Sequence, residues 1–220
     1  MTKAPRGTPE ALPPATLSLE AMLPGEGGLL LLSARPGDEI RGCGGLLAAM
    51  AAAGRPVRVV IATDGQGQPA LRRRQAVEGL AALGLGAGML VLLGQPAGGV
   101  PEAGPGFAAM VTVVAGLLRR EAALDTLLLP PGEAGDRAAL RAMGLAAAAG
   151  LGLRRLGYAL PGEGPPGGGE PGARRLDLTG WRAARDRAMA AHGGRGKGPA
   201  WDSATWEPPA WESYIELPPG

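Results

Sequence analysis

The sequence predicts an α/β fold, a mainly parallel sheet with helices on both faces, and three observations lead there. Short apolar runs ended by Gly, Pro or Asp recur through residues 28–162. Ala- and Leu-rich segments with polar positions at helical spacing lie between them, and the connections are short. An alternation of strand and helix repeated four times closes through right-handed crossovers, which makes the strands parallel. The predicted architecture is Rossmann-like and doubly wound.

The elements follow in order. "GLLLLSA" (28–34) and the β-branched "PVRVVIATDG" (56–65) read as strands, as do "GMLVLLGQP" (88–96), "LDTLLLPPG" (124–132) and the weaker "RRLGYALPG" (154–162). The helices are "GGLLAAMAAAG" (44–54), "ALRRRQAVEGLAALG" (70–84), "GFAAMVTVVAGLLRREA" (106–122) and "DRAALRAMGLAAAAG" (136–150), with Gly near their ends. Residues 1–27 form an N-terminal extension, 28–192 the α/β domain, and 161–173 a Gly- and Pro-rich flexible loop inside it. "RRLDLTGWRAARDRAMAAH" (174–192) gives a short strand and a helix starting near Thr179, whose hydroxyl is placed to cap it. The tail 193–220 is mostly irregular. All four Trp and both Tyr lie at or beyond Tyr158, which points to aromatic anchoring of this tail on its own domain, with a homo-oligomer interface as the other reading.

A chain of 220 residues is long enough for one well-buried α/β domain and too short for two large ones, so a single domain is the expectation. Its 22 basic and 20 acidic residues nearly cancel, so no basic face for nucleic acid is expected. A single cysteine excludes an internal disulfide, residues 1–28 lack the apolar core of a secretion signal, and no apolar run approaches the roughly 20 residues of a membrane helix. The expectation is a cytoplasmic protein with no membrane partner. Lysine occurs only at Lys3 and Lys197 among many Arg, Ala, Gly and Pro, a usage typical of GC-rich bacterial coding.

In a doubly wound sheet the ligand sits outside the carboxyl ends of the strands, here the loops that start at Arg35, Asp64, Gln95 and Pro131. "SARPGDEIRGCGG" (33–45) has the outline of a metal loop, with Arg35 where a histidine is expected. The "GCGG" within it lacks the Gly-x-Gly-x-x-Gly spacing of a dinucleotide site. Cys43 reads as a small packing residue, and His192, the sole histidine, as a helix-end residue near the dipole.

"LLLLSARPGDEIRGCGGLLAAM", "VVIATDGQG", "LRRRQAVEGLAALGL", "VLLGQPAGG", "LLLPPGEAGDRAAL" and "RAMAAH" together resemble, in order and spacing over residues 28–192, the LmbE/PIG-L family of zinc-dependent N-deacetylases. The resemblance implies one zinc held by a His and an Asp of a His-Pro-Asp-Asp-Glu motif and by the last His of a His-x-Asp-His motif. It also implies an Asp base on the zinc-bound water and an assisting His. Carried over by position, the first zinc ligand falls on Arg35, the base on Gly37 and the second ligand on Asp38, while Glu39 matches. The assisting His falls on Glu133 and the third ligand on Asp136, while Arg137 matches the arginine common there. Arg72, Arg137 and His192 fall at substrate-side positions of the same family.

One ligand out of three cannot bring a zinc-bound water toward pKa 7. A site built from Asp38 and Asp136 with Glu133 is all carboxylate and suits Mg²⁺ or Mn²⁺ better. A guanidinium about 4 Å from a dication costs roughly 8 kcal/mol at an effective dielectric of 20, so no metal is expected. The substitutions make joint sense if Arg35 bridges Asp38 and Asp136 in the ion's place. The resemblance with these losses implies a non-catalytic deacetylase-like protein that keeps a sugar-like ligand or a protein partner. The alternative is an active metal-dependent N-deacetylase of N-acetylglucosamine-type substrates with a rearranged site.

Overall fold

The computed structural model describes residues 15–65, 67–132, 134–161, 173–192 and 211–218. The strands are β1 (Gly28–Ser33), β2 (Val57–Thr63), β3 (Leu90–Gln95), β4 (Leu124–Leu129), β5 (Arg154–Tyr158), β6 (Ala173–Asp177) and β7 (Trp211–Glu216). The helices are α1 (Leu19–Met22), α2 (Asp38–Ala52), α3 (Pro69–Ala82), α4 (Gly104–Arg120), α5 (Gly135–Ala147) and α6 (Arg182–Ala191). The seven strands form one sheet in the order β3-β2-β1-β4-β5-β7-β6. The first five are parallel, and β7 runs antiparallel to both of its neighbours.

Successive side chains of a strand point to opposite faces, so an apolar run with no polar alternation must be covered twice. All six residues of β1 are buried. Leu29 and Leu31 join a core with α2, α3 and α6, while Leu30 and Leu32 join a second core with α4 and α5. Burial of each such Leu contributes about 1.5–3 kcal/mol. The doubly wound reading is therefore what these runs produce.

Three features differ from the sequence reading. Helix α2 begins at Asp38 rather than at residue 44. Its glycines, which resemble loop residues, are there for close packing: a Cβ on Gly42 would lie 2.6 Å from the Tyr158 ring, and one on Gly45 2.0 Å from Leu178. Helix α6 starts at Arg182, because Thr179 instead closes an Asx turn, both its N–H and its hydroxyl donating to Asp177 (2.9 and 2.6 Å). Residues 211–216 of the tail are a strand between β5 and β6, with Tyr214 buried in the core of its own domain. The Gly/Pro segment 162–172, the tail residues 193–210 and Glu133 lie outside the described residues.

The N-terminal residues 17–23 pack on this frame. Leu17 bridges to Leu176, and Met22 and Leu23 enter the α2-side core. No helix among the described residues is long and apolar enough to cross a membrane.

Candidate functional site

The sheet order places the topological switch point between β1 and β4, where the chain has built outward through β2 and β3 and then returns to the other side. The loops that leave β1 and β4 flank this crevice and carry the two motif regions. Thr63 fixes the first loop, its N–H and hydroxyl both donating to the Ala34 carbonyl (3.0 and 2.8 Å).

Gly37 makes the turn into α2. Its φ of 100° is a left-handed conformation that a side chain disfavours, and a Cβ there would meet Nε2 of His192 at 2.7 Å. The imidazole therefore occupies the space of the absent Gly37 side chain. His192 is 6% exposed, and Nδ1 has no hydrogen-bond partner among the described residues. Burial, helped by the nearby charge of Arg72, lowers its pKa to about 4, so the ring is neutral at pH 7.

Glu39 closes the turn from the other side. Its Oε2 accepts from the Gly37 N–H (2.8 Å) and the Ser33 hydroxyl (3.2 Å), while Oε1 is buried without a partner among the described residues. Desolvation raises its pKa to about 8, with the charge of Asp38 adding to the effect, so Glu39 holds a proton at neutral pH.

Asp38 is buried at the first turn of α2. Arg137 of α5 donates to it through Nε (3.2 Å) and an NH2 nitrogen (3.1 Å), and Arg41, one helical turn on, stands 3.6 Å away. The pair with Arg137 ties α2 to α5 and so spans the switch-point crevice. Arg41 also donates to the Pro161 carbonyl (3.2 Å). Asp136 faces other partners, accepting from the N–H groups of Gly98 (2.7 Å) and Val100 (3.1 Å) in the loop after β3.

The bridging role expected of Arg35 does not occur. Its side chain is exposed and makes no hydrogen bond or ion pair among the described residues. The cation beside Asp38 is Arg137, and Asp136 is satisfied by backbone amides. The sequence marked Arg137 as the arginine common at that place in the motif it resembles, but no local pattern tells which of two arginines turns inward. Of the remaining positions, Arg72 lies half-buried on α3 over Gly65 and near His192, so Arg72, His192, Gly37, Asp38, Glu39 and Arg137 are brought to one region. Arg41 was not anticipated, although its i+3 spacing from Asp38 announces it. Cys43 is fully buried, and burial holds its thiol protonated.

These donors do not fit zinc. Asp38 is engaged by two guanidiniums, Asp136 by two amides, and no three His, Cys, Asp or Glu side chains gather as a metal cluster among the described residues.

Solved structures similar to this chain share its topology. An N,N'-diacetylchitobiose deacetylase from Pyrococcus horikoshii aligns over 87% of this chain and 84% of its own, with a TM-score of 0.64 at 16% identity. A conserved protein from Thermus thermophilus aligns over 87% of this chain and 95% of its own, with a TM-score of 0.63 at 22% identity. This chain has the LmbE/PIG-L fold. GalB, a 4-carboxy-2-hydroxymuconate hydratase from Pseudomonas putida, is similar as well, over 88% of this chain and 97% of its own, with a TM-score of 0.59 at 15% identity. The LmbE/PIG-L-like frame of this chain is therefore similar both to a deacetylase and to a hydratase, and the fold alone does not fix a reaction. No protein-family model and no curated protein matches the sequence.

Proposed function

We propose that this chain is a deacetylase-like protein that does not hydrolyse acetamides through zinc and that uses the switch-point cleft to bind a small, sugar-sized ligand. The observation that carries the reading is the Arg137–Asp38 pair, which sets a cation against the one family ligand position that keeps its residue. Two further features agree. The family's base position is Gly37, and the neutral ring of His192 fills the space where a base would stand. Asp136, at the position of the third ligand, holds the loop after β3 instead.

The cleft still has the parts of a binding site: a rigid turn at the end of a central strand, a helix N-terminus and guanidiniums from α2, α3 and α5. Its position at the switch point is where ligands of doubly wound sheets bind. A rearranged metal-dependent deacetylase would need Asp38 and Asp136 released from these partners together.

The test is a deacetylation assay on N-acetylglucosamine and N,N'-diacetylchitobiose with zinc supplied, combined with metal analysis of the purified protein. No acetate release above the buffer rate and less than a stoichiometric amount of zinc are expected. Turnover that depends on zinc and disappears in Asp38→Asn would overturn the reading.

A further inference from the structure

We infer that the ligand of this cleft carries an oxyanion, the carboxylate or phosphate of a small metabolite, which Arg35 and Arg72 receive beside the N-terminus of α2. The inference rests on the reading of the cleft as a ligand site and specifies the chemistry of what enters it.

Charge placement is the first ground. Arg41 and Arg137 already neutralise Asp38, so that carboxylate does not repel an incoming anion. Glu39 is fully buried, its Oε2 held by the Gly37 N–H and the Ser33 hydroxyl, which leaves Asp64 at the end of β2 as the partly exposed described acid of the two strand-end loops. Against it stand Arg35 and Arg72, neither of which makes an ion pair among the described residues. Among the described residues the Arg72 guanidinium donates to the neutral Gln75 side chain (3.1 Å). A half-buried guanidinium without a counter-ion keeps the fork of donors that matches a carboxylate or phosphate.

Local geometry is the second ground. Arg72 lies against Gly65 at the end of β2, and β2 pairs in parallel with β1, whose end leads into Arg35, so both arginines belong to adjacent strand ends. The 15-residue helix α2 begins two residues after Pro36, and its positive dipole end favours an anion there. At the same turn Oε1 of Glu39 is buried without a partner among the described residues, while the unpartnered Nδ1 of His192 lies on the side of the ring away from Gly37. The imidazole edge lies against Gly37, where no side chain separates it from the turn. Unpartnered buried groups of this kind are uncommon and call for a ligand or water.

Thermal shift and isothermal titration on the full chain test the inference, with inorganic phosphate, citrate and neutral N-acetylglucosamine as probes and sodium chloride matched for ionic strength. Saturable stabilisation by phosphate or citrate beyond that of chloride is expected. Arg72→Gln and Arg35→Gln should each weaken it about tenfold, and the double variant should abolish it. Arg119→Gln, on the exposed last turn of α4, should leave it unchanged. Saturation by phosphate alone identifies a phosphate-bearing ligand and by citrate alone a carboxylate-bearing one. Stabilisation no greater than that by chloride, equal stabilisation in the double variant, or binding of the neutral sugar alone overturns the inference. Urea midpoints of the variants separate lost binding from lost folding. Zinc-dependent deacetylation would break the non-zinc reading without touching this result, and absent anion binding would leave that reading standing.

Discussion

Asp38 and Glu212 both hold helix α2 through a buried carboxylate, and the two regions differ in what holds the carboxylate. Asp38, at the first turn, is met by the ends of two long side chains, Arg41 and Arg137, at the edge of the cleft. Glu212 reaches from β7 into the middle of the helix and accepts from the N–H groups of Gly45 (2.7 Å) and Leu46 (2.9 Å) and from the Tyr214 hydroxyl (2.8 Å). Backbone amides of a packed helix cannot move away, whereas a guanidinium on a flexible stem can change partners. The comparison teaches that the fold keeps its rigid polar contact in the interior and its exchangeable one at the end of the central strands. Burial raises the pKa of Glu212, which its amide partners and Arg185 oppose.

The largest effect should come from breaking the interior contact. Glu212→Ala removes the carboxylate to which two helix N–H groups and the buried Tyr214 hydroxyl donate and which faces the buried Arg185, and should cost about 3 kcal/mol. Urea unfolding measures this, and a loss below about 1 kcal/mol would show that the contact is not the rigid one described. At the cleft, Gly37→Ala combines a left-handed backbone with a 2.7 Å approach to His192 and should cost about 2.5 kcal/mol. Adding His192→Gly should return the contact part of that loss and leave the backbone part. Gly37→Asp should for the same reason fail to rebuild a base.

Titration sharpens the contrast further. The pKa of Glu39 is raised from 4.5 to about 8, so the folded chain holds its proton more tightly, and this stabilisation, complete below about 4.5, is lost as pH rises to 8. The pKa of His192 is lowered from 6.5 to about 4, so its contribution is present above 6.5 and lost as pH falls toward 4. The two slopes oppose each other between about 4.5 and 6.5, and only that of Glu39 remains above. Stability should therefore fall by about 1.2 kcal/mol between pH 6.5 and 8. Glu39→Gln should flatten that fall in urea unfolding at the two pH values; an undiminished fall would assign it to another group. Smallest is Arg137→Ala, expected to cost about 1.5 kcal/mol because Arg41 still faces Asp38, with Arg137→Lys recovering only part.

Strand β1 was legible because an apolar run with no polar alternation must be buried on both faces, and β2 to β5 because short apolar runs ended by Gly, Pro or Asp repeat the pattern between helical segments. The start of α2 was not, because Gly42, Gly44 and Gly45 carry the marks of a loop while their actual role is to admit Tyr158, Arg185 and Leu178. β7 was not legible either: its alternation spans only Trp211–Glu216, and its partners lie far away in sequence. At the cleft the positions were legible and the partners were not. Which arginine meets Asp38 depends on the turn at Gly37 and the docking of α5, and the amides that donate to Asp136 belong to a loop 36 and 38 residues away.

Zinc titration of the metal-free protein by calorimetry at pH 7 tests the central claim most directly. With Arg137 and Arg41 on Asp38, no saturable one-to-one binding tighter than about 1 μM, a free energy of about −8 kcal/mol, is expected. One-to-one binding at or below that concentration, lost in Asp38→Asn, would contradict the account.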